Sequence, residues 1–239
     1  MWPFKKISVD QALQGLVDGL SAAWGPKLVS ITLFGSKVSG EYREDRSDVN
    51  VFILAQDLSL ETLGQAAKPV QTWLRAGYRM PVLVTKSDLA IYANNLPIEF
   101  LDMQDHHQVV FGPDPLQSLS VDPVHLHAQC AQELSLKQLK LRQAILAAGG
   151  GEKRLREVLL GSLSSVLTLY RAVLRLEAEV PKGDKMIAAK ELAKRVGFDG
   201  DCLERIQDLH LRRQTDKMDE LARQYLQCLG RVLVYVSRR

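Results

Sequence analysis

Apolar positions in the first half of the chain switch between two periods. In residues 9–24 they fall at Ala12, Leu13, Leu16, Val17, Leu20 and Ala23. That is the spacing of a helix with one buried face, with Ser8 placed to cap it and Gly25-Pro26 to stop it. From Val29 the period shortens to two. Val29, Ile31 and Leu33 alternate with Ser30, Thr32 and Phe34, which predicts a strand. Further strands are predicted over residues 47–54, over 80–85 with Pro81 near the start, and over 107–111. Between them, a helix is predicted from Ser59 to about Ala76, with Pro69 expected to kink or divide it. A short helix follows from Ser87 or Thr85 through Asn94, and residues 98–103 read equally as an extended or a short helical segment.

Residues 113–123 hold three prolines and read as a linker. Beyond it the helical period holds nearly to the end. Helices are predicted over about 124–148, opened by Asp122-Pro123 and closed by Gly149-Gly150-Gly151, and over about 153–178, closed by Pro181-Lys182-Gly183. Others follow over 185–195 with Asp184 as cap and Gly197 as stop, over about 202–212, and over 216–236. The pattern predicts an α+β chain: a small mixed-sheet domain over residues 1–115 and an α-helical bundle domain over 122–239.

The first predicted strand runs directly into Gly35-Ser36. Glycine at a strand end lets the backbone approach a ligand closely, and the hydroxyl beside it adds a donor. In the next strand Asp48 and Asn50 are two residues apart, so they share a face. That face is suited to hold a metal ion near a phosphate bound at Gly35-Ser36. Residues 37–39 are expected to begin a short helix with its N-terminus toward that phosphate. Arg43 and Arg46, in the charged segment between the strands, either steer a triphosphate or are simply solvated.

The order Phe34-Gly35-Ser36, Gly40, then Ser47-Asp48-Val49-Asn50-Val51 resembles the nucleotidyltransferase superfamily, which includes polymerase beta, the minimal nucleotidyltransferases and the antibiotic-adenylylating enzymes. The resemblance covers roughly residues 25–112. It implies magnesium-dependent transfer of a nucleoside monophosphate from a triphosphate to a hydroxyl acceptor. Gly35 and Ser36 would hold the phosphates, and Asp48 and Asn50 would stand at the metal positions. The family carries a carboxylate where Asn50 stands, and an amide oxygen ligates magnesium without bringing charge. A third carboxylate is expected from a later strand, but residues 80–85 contain none, so Glu99 is the candidate, with Asp102 beside it. The alternative implied is a catalytically degenerate relative that binds nucleotide or a protein partner. Expected partners are thus a nucleoside triphosphate, a hydroxyl acceptor and a second copy through the helical domain.

Composition changes this picture little. Hydrophobic content of 46% and charge of 25% are ordinary for a globular chain. No apolar run approaches the ~20 residues that span a bilayer, and the start lacks a secretory signal pattern, so a cytoplasmic location without a membrane is expected. The three cysteines, Cys130, Cys202 and Cys228, are scattered and do not read as a disulfide framework. The net charge of +3 is uneven: residues 1–120 carry 10 Lys+Arg against 13 Asp+Glu, and residues 121–239 carry 21 against 15. The basic half either faces a polyanion or presents solvated helix faces.

Three further constellations carry weaker signals. Arg205 and His210 match the Arg-four-residues-His motif of helical ribonuclease domains that accompany nucleotidyltransferases. His125 and His127 with Cys130 have zinc-ligand chemistry but lack a second pair. His106-His107 precede the last strand and either touch substrate or pack.

Overall fold

The computed structural model describes residues 8–39, 49–177, 184–211 and 217–239. The chain divides into two compact units, one of Met1–Asn95 with Glu99–Val121 and one of Leu96–Ile98 with Asp122–Arg239. The first unit begins with helix α1 (Val9–Trp24), capped by Ser8 Oγ on the Gln11 amide, and continues as β1 (Leu28–Phe34), α2 (Ser36–Ser39) and β2 (Asn50–Ala55). Then come α3 (Leu60–Arg75), β3 (Val82–Thr85), α4 (Leu89–Asn95), α5 (Pro97–Asp105) and β4 (His107–Phe111). The strands form one sheet in the order β3-β2-β1-β4. β1 runs antiparallel to both β2 and β4, and β2 runs parallel to β3, so the sheet is mixed. A parallel pair needs a crossover, and α3 supplies it.

Both faces of the sheet are covered. Ile31, Leu33, Val51 and Ile53 share a core with Leu16 and Leu20 of α1 and Val70 and Trp73 of α3. Phe52 and Leu54 face the other way, into a core with Val84, Phe100, Met103 and Leu116. Phe52 and Phe100 meet edge to face with centroids 6.0 Å apart, a favoured aromatic geometry. Double coverage also buries Ser30 and Thr32, whose polarity in the sequence alternation gives no hint of it.

Three expectations are corrected here and one open alternative is resolved. Pro69 does not divide α3, which runs unbroken through it. The proline lies against Gly19 of α1, where an added Cβ would sit 2.6 Å from Pro69 Cβ. The missing amide hydrogen bond is thus accompanied by a close helix contact that only glycine permits. β3 starts at Val82 rather than Met80, because pairing with β2 begins at Phe52↔Val82. Residues 97–105 are helical throughout as α5. The helix expected over 202–212 ends at Asp208 and tightens into a 3₁₀ turn over Leu209–Leu211.

The second unit contains α6 (Pro123–Ala148), α7 (Glu152–Arg175), α8 (Lys185–Val196), α9 (Asp201–Asp208) and α10 (Met218–Ser237). Asp122 caps α6 through the Val124 amide, and Asp184 caps α8 through the Met186 amide. Gly149 and Gly197 close those helices at φ 60° and 78°, the left-handed conformation that glycine adopts at least cost. Pro181-Lys182-Gly183, Asp216, Gly40, Arg43 and Arg46 fall outside the described residues. α7 packs against α6, α8, α9 and α10. By length and composition it could cross a membrane. Within this unit its surrounding helices bury every residue from Leu169 to Leu174.

Candidate functional site

Three strand ends converge on Gly35. Phe34, the last residue of β1, pairs with Asn50 at the start of β2 on one side and with His107 at the start of β4 on the other. The chain then turns at Gly35, at φ 82°. The Gly35 amide donates to the His106 carbonyl at 3.1 Å, and the Gly35 carbonyl accepts from the Val38 amide at 2.9 Å. A Cβ at this position would lie 3.1 Å from Asn50 Nδ2. Glycine is therefore needed for its backbone angle and because the Asn50 side chain lies directly beside it. α2 begins at once with Ser36. The Ser36 and Lys37 amides belong to its first turn. Lys37 puts a cation directly after the turn. Its place in the run Gly-Ser-Lys was legible, but spacing alone assigned it no role.

Asn50, Phe52 and Leu54 lie on one face of β2 by strand alternation, and α5 covers that face through Phe100 and Met103. Because α5 is a helix, Glu99 and Asp102 share a face three residues apart. The chain leaves α5 to reach the His106 carbonyl at Gly35, so the C-terminal end of α5 is the end at the turn. Glu99 stands exposed in the first turn, about 10 Å of helical rise before His106. Asp102 is half-buried and one turn nearer. Asp48 lies outside the described residues. Among the described residues, no group of three or more His, Cys, Asp or Glu is placed to hold a metal ion. Asn50 offers a neutral oxygen where a two-ion centre needs charge. The described donor set does not fit such a centre.

His107 is occupied structurally. Its Nδ1 lies 3.0 Å from the Gln104 carbonyl and its Nε2 lies 3.0 Å from Asp114 Oδ2. Partial burial works to raise the Asp114 carboxyl, but the hydrogen bonds from His107 and the Leu116 amide outweigh it and leave the group below its ordinary value. This pair ties the start of β4 to the segment after it. The zinc reading of His125, His127 and Cys130 fails for a similar reason. Cys130 is fully buried in the bundle and His127 Nε2 meets the Val236 carbonyl at 3.0 Å. Arg205 donates to Gln224 Oε1 at 2.9 Å within the bundle, whereas His210 is exposed in the 3₁₀ turn that follows α9.

Among solved structures, the spectinomycin adenyltransferase AAD(9) of Enterococcus faecialis, determined with ATP and spectinomycin, aligns with 94% of this chain and 99% of its own. The TM-score is 0.59 and the identity 12%. No protein-family model matches the chain, and no curated protein matches it. The chain has the fold of a nucleotidyltransferase: a mixed-sheet domain followed by a helical region.

Proposed function

We propose that this protein is a nucleotidyltransferase-like nucleotide-binding protein that seats the phosphates of a nucleoside triphosphate on the Gly35-Ser36 turn. The observation that carries the reading is the left-handed Gly35, tied to the His106 carbonyl and followed at once by the first-turn amides of α2. Successive backbone amides at such a turn form an anion-binding concavity. The structural neighbour was determined with ATP and spectinomycin, which supports a triphosphate and a hydroxyl-bearing acceptor as partner classes here. Dimerisation through the helical unit would be a further feature of this reading.

A second reading is nucleotidyl transfer itself, favoured by the likeness in fold. The acceptor hydroxyl oxygen would attack the α-phosphorus, the bond to pyrophosphate would break, and the hydroxyl proton would pass to a carboxylate. Asp48 and one of the α5 carboxylates would serve, Asp102 being nearer the turn than Glu99. Magnesium at Asp48 and Asn50 is the expected accompanying ion. Asn50 argues for binding over turnover, because replacing a carboxylate by an amide removes negative charge that the metal ions require.

Titration calorimetry with ATP and the other triphosphates, with and without magnesium, separates the readings when wild type is compared with Asp48→Ala and Asn50→Asp. Binding by wild type, without pyrophosphate release in the presence of hydroxyl acceptors, supports the binding module. Gain of magnesium-dependent affinity in Asn50→Asp, by about tenfold or ~1.4 kcal/mol, supports a metal-phosphate site weakened by the amide. Absence of triphosphate binding under every condition refutes both readings.

A further inference from the structure

The bundle brings together two of the three cysteines that the sequence scatters. Cys202 stands in the first turn of α9 and Cys228 in the middle of α10, and both are buried. Their sulfurs are 3.2 Å apart. Both also lie near the Asp199 carbonyl, at 3.8 Å for Cys202 Sγ and 3.6 Å for Cys228 Sγ. Cys130, on α6, is also buried but is not part of the pair.

The pair is not sealed. A cavity of about 180 Å³ is lined by Cys202, Cys228, Asp199, Gln224 and Arg231. A water molecule occupies about 30 Å³ of liquid, so a small polar oxidant fits there. Arg231 is held over this region by donating to the Gly197 carbonyl at 2.7 Å. We propose that Cys202 and Cys228 form an oxidation site, in which a small peroxide entering this cavity joins α9 to α10 by a disulfide.

The chemistry is a two-electron oxidation of the dithiol. The hydrogen bond from Cys202 holds the Cys228 thiol below its ordinary value, with the Arg231 charge adding to it, against the opposing effects of burial and Asp199. The same hydrogen bond, together with burial, pushes Cys202 up. With the Arg231 guanidinium lining the same cavity, Cys228 is taken as the attacking thiolate and Cys202 as the resolving thiol; the product is the same if the roles are exchanged. Cys228 sulfur attacks one peroxide oxygen and the O–O bond breaks. The leaving oxygen keeps the proton it carried on the peroxide, takes up one more, the proton lost by the Cys228 thiol, and departs as water, leaving a sulfenic acid at Cys228. The Cys202 sulfur then attacks the sulfenic sulfur and loses its proton, and a second water leaves. The two thiols lose two electrons and hydrogen peroxide gains them. Joining them shortens the sulfur separation from 3.2 Å to a bond of about 2.05 Å. An external dithiol reverses the bond by exchange.

The test treats the full-length protein with hydrogen peroxide in slight excess and maps the peptides without reduction. Expected is a Cys202–Cys228 cross-linked peptide that dithiothreitol removes, with Cys130 still a free thiol. The thermal midpoint of the helical unit, followed by far-ultraviolet circular dichroism, should rise by several degrees on oxidation and return on reduction. Cys130→Ser should behave as wild type, whereas Cys228→Ser and Cys202→Ser should each lose the cross-link and the shift. Thiols that all stay reduced, oxidation that stops at sulfinate on one cysteine, or a cross-link involving Cys130 would overturn the proposal. Because the decisive readout is on wild type, it does not depend on whether either serine variant folds.

Discussion

Single residues in this fold are constrained by contacts with the neighbouring strand. Gly112 ends β4 at φ 75°, and a Cβ there would meet the Val29 carbonyl oxygen of β1 at 2.0 Å. The obstacle is backbone, which cannot rotate aside. Gly112→Ala should therefore destabilise the first unit by about 3 kcal/mol or more, combining a strained positive φ with overpacking. A urea midpoint unchanged from wild type, followed by tryptophan fluorescence, would show that β1 and β4 separate freely there. Gly35 differs, because its nearest added contact is the Asn50 side chain at 3.1 Å. There the obstacle is a side chain and not backbone, so substitution acts through the backbone angle and through the shift it forces on Asn50. The strand ending in Gly-Ser was readable from the sequence. That Asn50 packs directly against that glycine was not, because the residues lie on different strands.

At the level of elements, α5 and the segment after β4 hold the candidate site in place. Residues 98–103 lacked a clear period in the sequence. Tertiary packing decided for a helix by drawing Phe100 and Met103 together onto Phe52 and Leu54. The His107–Asp114 pair then secures β4. The Asp114 carboxyl lies below its ordinary value in the folded chain, so its contribution is fully present above the ordinary carboxylate range. It is lost as pH falls through the depressed folded value. Asp114→Asn should cost about 1 kcal/mol at neutral pH, since a part-buried hydrogen bond to a charged group is replaced by a neutral one. The difference from wild type should shrink below about pH 4. A difference independent of pH, measured by urea unfolding across that range, would contradict the assignment of the pair.

The molecule as a whole has two units with separate cores, and its spectroscopic probes divide between them. Among the described residues the tryptophans, Trp24 and Trp73, both fall in the first unit. Most of the helix of the second unit surrounds α7, where Leu159 is fully buried. Leu159→Ala should remove about 2–5 kcal/mol from the second unit. It should move the circular dichroism transition to lower urea and leave the tryptophan transition where it is. Equal shifts in both signals would mean that the two cores unfold as one cooperative body, against the expectation for separate domains.

What the sequence determined by itself was local. Caps such as Ser8, Asp122 and Asp184, stops such as Gly149 and Gly197, and the two periodicities located α1, α6, α8, β1 and β4. These features act over a few residues, where chain connectivity supplies proximity without any packing. The tertiary structure decided what depends on distant partners. It placed Pro69 against Gly19, buried Ser30 and Thr32 by covering the sheet on both sides, and put Asp102 nearer than Glu99 to the Gly35 turn. It also brought Cys202 within 3.2 Å of Cys228 across 26 positions of sequence. Each of these follows from closing the chain on itself to bury apolar area, a non-directional and collective force whose chosen partners no local pattern records.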